Sequence, residues 1–256
     1  MTNTHANNCL LADHCSLAGT AKCNRTCGAF IALHGMTGKS GRAGVANIPS
    51  DYRLVTLANS PARASQPDVY KNVDAYVRTF ERMFETDAER IKSLFLFSES
   101  PGTGKTTTAS AIANEYLTQH YIGSLKRNRQ PLQRPVYFLD VNNWQTLYNE
   151  FNRANIPADV AERASREYYR QMELAKQAQY CVLDDIGVRQ ATEAFRADLH
   201  SIINARVANG LPSCYTSNLP IEEMSQVFDA RLYDRLRDHC AVLSFSGTSK
   251  RGMRKK

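Results

Sequence analysis

The chain has 256 residues, 43% hydrophobic and 22% charged, enough apolar content for one large domain or for one domain with a small appendage. No run of about 18 apolar residues occurs, which excludes a membrane-spanning helix. The start, Met1-Thr2-Asn3-Thr4-His5, lacks the basic and apolar segments of a signal peptide, so a cytosolic protein is expected. The net charge of +7 is local: Lys126, Arg127, Arg129 and Arg134 lie in a stretch without acids, and Lys250, Arg251, Arg254, Lys255 and Lys256 crowd the last residues. Such concentrations suit contact with a polyanion as well as a solvated face.

Residues 1–47 gather Cys9, Cys15, Cys23 and Cys27, interleaved with His5, His14 and His34. Four thiols match the ligand number of a tetrahedral zinc site, and a short segment without a sizeable apolar core has reason to need a metal staple. Structural zinc is therefore expected, with a histidine able to replace one cysteine. The spacing is not that of paired Cys-x2-Cys knuckles, and an iron–sulfur cluster or free thiols in a mobile arm are the alternatives. Disulfides are not expected in a cytosolic chain. Gly35 to Gly44 reads as a linker.

Residues 48–90 read as a connection into the core. Ser65-Gln66-Pro67 starts a helix with proline in its first turn. Val69, Val73, Tyr76, Val77, Phe80, Met83 and Phe84 continue it at helical spacing, a core-facing stripe.

From residue 91 onward, short apolar runs alternate with helical patterns. Ser93-Leu94-Phe95-Leu96-Phe97 reads as a buried strand, and Ala109, Ile112, Ala113, Tyr116 and Leu117 as a helix. Between them stands Ser100-Pro101-Gly102-Thr103-Gly104-Lys105-Thr106-Thr107, in the strand-to-helix context that a phosphate-binding loop requires. Gly102 and Gly104 let backbone N–H groups approach a polyphosphate, and the helix N-terminus adds partial positive charge. Lys105 would reach the β- and γ-phosphates, and the Thr106 hydroxyl would ligate Mg²⁺. Glu99 stands where the motif has glycine.

Val136–Leu139 is a second strand, followed by a helix carrying Trp144, Leu147 and Phe151. Residues 158–178 form a further helix on which Arg163, Arg166 and Arg170 share one face near Tyr169. Glu162, Glu167 and Glu173 lie among them, so a salt-bridged solvent face competes with a DNA contact. Tyr180-Cys181-Val182-Leu183 is a third strand that ends in Asp184 and Asp185. At the carboxyl end of such a strand Asp184 would hold Mg²⁺, and Asp185 would act as base or orienter for a water. After a helix ending near Gly210, Pro212–Ser217 is a fourth strand that leads to Asn218, placed to bond the γ-phosphate or that water. A charged helix over Asp229–Asp238 and a fifth strand, Cys240–Phe245, complete the pattern.

Pro101–Thr106, Val182-Leu183-Asp184-Asp185-Ile186-Gly187, Thr216-Ser217-Asn218-Leu219 and Arg231-Leu232-Tyr233-Asp234-Arg235-Leu236-Arg237 together resemble an AAA+ ATPase. With Ile48-Pro49 and Tyr52 they resemble more narrowly the bacterial and phage replicative-helicase loaders of the DnaC/DnaI class, over residues 48–251. The resemblance implies an α/β fold, a five-stranded parallel sheet with helices on both faces. It implies no helical lid after the fifth strand, since few residues remain. Domains are expected at 1–47 (Cys-rich module), 48–90 (linker and helix) and 91–256 (ATPase core with basic tail). The resemblance further implies ATP and Mg²⁺ bound through Pro101–Thr107 and Asp184, Asp185 as the second Walker B acid, and Asn218 as sensor I. Arg235 falls at the arginine finger, supplied to a neighbouring subunit; Arg231 and Arg237 share its helix, and Arg251 is the sensor II candidate. Asp185 replaces the family's frequent glutamate, so slow hydrolysis is expected. The implied partners are a hexameric replicative helicase gripped by the cysteine module, single-stranded DNA along Arg163, Arg166 and Arg170, and further copies of the chain. An IstB-like transposition ATPase is the alternative; a small-molecule P-loop kinase fits less well.

Overall fold

The computed structural model describes residues 4–187, 191–227 and 230–249. Five strands form one sheet: β1 Ser93–Phe97, β2 Val136–Asp140, β3 Tyr180–Asp184, β4 Ser213–Ser217 and β5 Cys240–Ser244. Their order is β2-β3-β4-β1-β5 and every pairing is parallel, as the resemblance implies. Strands β1 to β3 are nearly continuous apolar runs because helices cover both faces, and β4 buries Ser213, Thr216 and Ser217 beside Cys214 and Tyr215.

The described helices are α1 Gly28–His34, α2 Gly41–Val45, α3 Pro67–Val77, α4 Lys105–Lys126, α5 Val141–Phe151, α6 Ala158–Gln177, α7 Glu193–Ala208, α8 Met224–Val227 and α9 Ala230–His239. Alternation along each strand splits the core in two. Leu94, Leu96, Phe138 and Val182 pack with α3 and α4 on one face. Phe95, Leu139, Leu183 and Tyr215 pack with α5, α6 and α7 on the other. Gly210, with φ +66°, follows α7 as expected.

The stripe after Pro67 divides between α3 and a 3-10 segment, Arg78–Phe84. Val77, Phe80 and Met83 recur every three residues, the repeat of that tighter helix, so they keep facing the core.

Gly35–Gly44 is not a linker. It contains the start of α2 and buries Ala43, and Leu10, Leu11, Leu33 and Ala46 join the same core as α4. The glycines mark close backbone approach. A Cβ on Gly41, where φ is +63°, would stand 2.6 Å from Leu33 O, and one on Gly44 would stand 2.7 Å from Lys39 O. The segment also covers the outer edge of β2. Phe138 N–H donates to Ala46 O at 2.8 Å, and Asn47 Nδ2 donates to Phe138 O at 2.9 Å. An edge strand left open would invite pairing with another chain.

On the far face Arg206, fully buried, ends α6. It donates to Ala175 O and Ala178 O at 2.7 Å each, to Pro212 O at 2.6 Å and to Ser213 Oγ at 2.7 Å. A cation at a helix C-terminus meets both the free carbonyls and the negative end of the dipole.

Candidate nucleotide-binding site

The loop after β1 opens directly into α4, and the strand carboxyl ends meet there at a cleft of about 850 Å³. Pro101, Gly102, Thr103, Gly104, Lys105, Thr106 and Thr107 form one side. Gly102 (φ +75°) and Gly104 (φ +109°) adopt backbone that other residues rarely reach. Gly104 meets a second demand, since a Cβ there would stand 2.6 Å from the Cβ of Ala62. Pro49, Tyr52, Pro61, Ala62 and Ser65 build the opposite wall. That wall is tied to the loop by Gln66, whose Nε2 donates to Thr103 O at 3.4 Å and to Ser246 O at 2.7 Å.

Lys105 is buried, with Nζ donating to Ser98 O at 3.3 Å, Ser100 O at 3.5 Å and Asn218 Oδ1 at 2.5 Å. The Thr106 hydroxyl reaches both oxygens of Asp184, at 3.0 and 3.1 Å, and the Thr216 hydroxyl donates to Asp184 Oδ1 at 2.7 Å. Burial pushes the Asp184 carboxyl up to about 6, against the two hydroxyls, with Asp185 and Asp140 pushing further upward. A buried carboxylate in that condition gains from a cation. Thr106 and Asp184 supply hard oxygen ligands at the mouth of a phosphate loop, a donor set that fits Mg²⁺. Asp185 follows with φ +65°; its N–H donates to Thr216 Oγ1 at 2.8 Å and its carboxylate accepts from Asn142 Nδ2 at 2.5 Å. The loop, the paired acids and Asn218 thus converge on one cleft. The chain has the AAA+ fold.

Solved structures agree with it. The DnaC helicase loader superposes with a TM-score of 0.53 at 17% identity, over 77% of this chain and all of that one. DnaI gives 0.51 at 18%, over 78% and 95%. The replication initiator DnaA bound to AMPPCP and single-stranded DNA gives 0.51 at 15%, over 78% and 51%. A family model described as "IstB-like ATP binding protein" matches residues 145–256. Among curated proteins, the phage-like element PBSX protein XkdC of Bacillus subtilis is 26% identical over 184 residues, covering 69% of this chain and 58% of the relative. The replicative helicase loader DnaC of Escherichia coli is 23% identical over 143 residues, covering 56% and 49%. The chain thus spans about half the length of the curated relatives it matches. Within the AAA+ fold it resembles the DnaC/DnaI loaders and the IstB-like ATP-binding proteins.

Other expected residues lie elsewhere in this AAA+ core. Arg235 is exposed on α9, where Nη1 donates to Asn204 Oδ1 of α7, and it does not line its own chain's cleft. Arg237 pairs with Asp234 at 2.9 Å. The side chain of Arg231, and all of Arg251, fall outside the described residues. On α6, Arg166 pairs with Glu162 and Arg170 with Glu167 at 2.7 Å, the salt-bridged solvent face; Arg163 is exposed beside them.

The expected zinc cluster is not assembled. Cys9, Cys15, Cys23 and Cys27 form no disulfide, and among the described residues no group of three histidine, cysteine or acidic side chains is placed to hold a metal ion. The segment is held by packing instead, with Leu10 and Leu11 buried. His34 is buried, and its Nε2 accepts the Leu10 N–H at 3.1 Å. Burial pushes the Cys9 thiol up.

Sequence reading gave no site role to Asp140, Asn142, Thr216 or the 49–65 wall, although Pro49, Tyr52 and Thr216 were among the residues that carry the resemblance. Asp140 carried the same signal as Asp184, a carboxylate ending an apolar run, and the two are in register across β2 and β3.

Proposed function

We propose that the chain binds ATP with Mg²⁺ in this cleft, hydrolyses it slowly, and uses the cycle to load a replicative DNA helicase. What supports this best is the convergence of Lys105, Thr106, Asp184, Asp185 and Asn218 on one cleft in a chain that resembles helicase loaders. Backbone N–H groups of Gly102 to Thr107 hold the phosphates, and Lys105 neutralises their outer oxygens. Thr106 and Asp184 hold Mg²⁺, which when bound offsets charge on the phosphates. Asp185 orients the attacking water and accepts its proton, and Asn218 bonds the γ-phosphate or that water. The short Asp185 side chain, held by Asn142, suits a slow switch.

Arg235 bonds Asn204 and does not line its own cleft, which suits a finger acting on a neighbour, so ATP orders an assembly of several copies. Arg163, Arg166 and Arg170 contact single-stranded DNA by exchanging carboxylate for phosphate partners. Residues 1–47 form the part of the chain that meets the helicase, residues 48–90 join it to the ATPase core, and the protein acts in the bacterial cytosol.

Two measurements test the proposal: ATP turnover with and without single-stranded DNA, and capture of a purified hexameric replicative helicase by the full chain. Turnover together with helicase capture supports it; capture of neither helicase nor ATP ends it. The match of residues 145–256 to IstB-like proteins favours a second reading, a transposition ATPase, which predicts capture of a transposase instead.

A further inference from the structure

We infer that Thr216 is a positioning residue for the acid pair, one hydroxyl that sets both the Asp184 carboxylate and the turn carrying Asp185. The inference rests on the ATPase reading of the cleft. Thr216 is buried in β4 at 1% exposure, among neighbours that leave its side chain little freedom. Its single proton goes to Asp184 Oδ1 at 2.7 Å, and its lone pair accepts the Asp185 N–H at 2.8 Å. Donor and acceptor are both engaged, so the hydroxyl rotor is fixed in both directions.

The consequence for Asp185 is geometric. Regular pairing of β3 with β4 ends at Leu183 opposite Tyr215. Beyond it Ile186 N–H donates to Thr216 O at 2.9 Å, and the Ser217 hydroxyl donates to Ile186 O at 2.9 Å. Asp185 lies between, in the left-handed region at φ +65°, a conformation that costs a non-glycine residue energy unless its surroundings hold it. The Thr216 hydroxyl is the group that takes up its N–H. The carboxylate is thereby turned toward Asn142 and the cleft.

The consequence for Asp184 concerns which bond persists. Two hydroxyls donate to it, but Thr106 belongs to the phosphate loop and is the one the ATPase reading assigns to Mg²⁺. Thr216 belongs to an interior strand and is independent of what the loop binds. Its bond to Asp184 Oδ1 orients the carboxylate that would hold Mg²⁺. Valine at this position fits the same space and makes neither bond; serine makes both.

The test uses the full chain with Thr216→Val and Thr216→Ser. Turnover, thermal melting, and mant-ATP titrations with Mg²⁺ and with EDTA are read together. In the valine variant kcat is expected to fall about 10²-fold while KM rises by no more than the factor that Mg²⁺ contributes to binding, because a displaced general base costs rate rather than binding. The tightening of mant-ATP binding that Mg²⁺ gives is expected to disappear in the same variant. The serine variant is expected to stay within about fivefold of the wild type in every measure. A valine variant with wild-type kcat and Mg²⁺ response overturns the assignment. So does a serine variant as impaired as the valine one, since packing and not the hydroxyl would then matter. If the valine variant melts below the assay temperature, Thr216→Ala is read against serine by the same criteria. A wild-type chain that binds mant-ATP without turning ATP over defeats the ATPase reading alone, and the Mg²⁺ response then decides for or against Thr216.

Discussion

Lys105 Nζ donates to Asn218 Oδ1 at 2.5 Å, so a single bond joins the phosphate loop to the tip of β4. A γ-phosphate reaching Lys105 therefore also reaches Asn218. Asn218→Ala is expected to keep mant-ATP affinity within about fivefold and to lower kcat about 10²-fold, since its bond matters most as charge develops on the transferring group. Steady-state kinetics beside a binding titration check this. Unchanged kcat would remove Asn218 from the reaction.

Arg235 and the cleft of its own chain are separate, which makes the finger testable by mixing. Arg235→Ala is expected to bind ATP normally and to lose about 10³-fold in turnover. Lys105→Ala is expected to lose turnover through loss of binding. Mixing the two inactive variants is expected to restore part of the rate, because the Lys105 variant supplies a finger to intact sites of the other. A mixture as inactive as its components would place the finger elsewhere, with Arg231 and Arg237 next to be tried.

His34 and His120 give the fold an acid limit. Burial lowers each from 6.5 to about 4, with the charges of His5 and Arg53 acting on His34 and that of Arg42 on His120. Both are neutral in the folded chain and protonate more readily when it unfolds. Their contribution is fully present above pH 6.5 and is lost as pH falls toward 4, by up to about 3 kcal/mol per histidine. Melting temperature is expected to drop over that window, and the drop is expected to flatten in His34→Gln/His120→Gln. An equally steep drop in that variant would assign the acid sensitivity to other groups.

Arg206 holds four oxygens where α6 ends. Arg206→Met keeps the bulk but removes the guanidinium donor from Ala175 O, Ala178 O and Pro212 O, of which Pro212 O keeps the Cys181 N–H at 3.4 Å, at about 1–3 kcal/mol for each group that finds no other partner. Denaturant unfolding is expected to show a loss of about 3 kcal/mol or more. A variant as stable as the wild type would mean that water or a local shift satisfies those carbonyls.

Most of the sheet was legible because β1, β2 and β3 are short apolar runs set between helical patterns, and the acid that ends β3 singled out Asp184. The same pattern marks Asp140, but no glycine-rich motif drew attention to β2. Asn142 and Thr216 were not legible, since their roles come from contacts across the sheet that spacing along one strand does not encode. Gly41 and Gly44 were misread for a related reason. A glycine that permits a turn and one that admits a neighbouring backbone look alike in sequence, and only the 2.6 Å and 2.7 Å approaches tell them apart. The cysteine cluster misled because ligand count is visible in sequence and convergence in space is not.

The most direct test of the account is a mant-ATP titration of the full chain in Mg²⁺, wild type beside Lys105→Ala. Saturable binding that weakens by at least about 10²-fold in the variant is expected, because among the described residues lining the cleft Lys105 alone carries a positive charge to meet the phosphates. Equal affinity in the two proteins would contradict the placement of a triphosphate on this loop, and with it the proposed function.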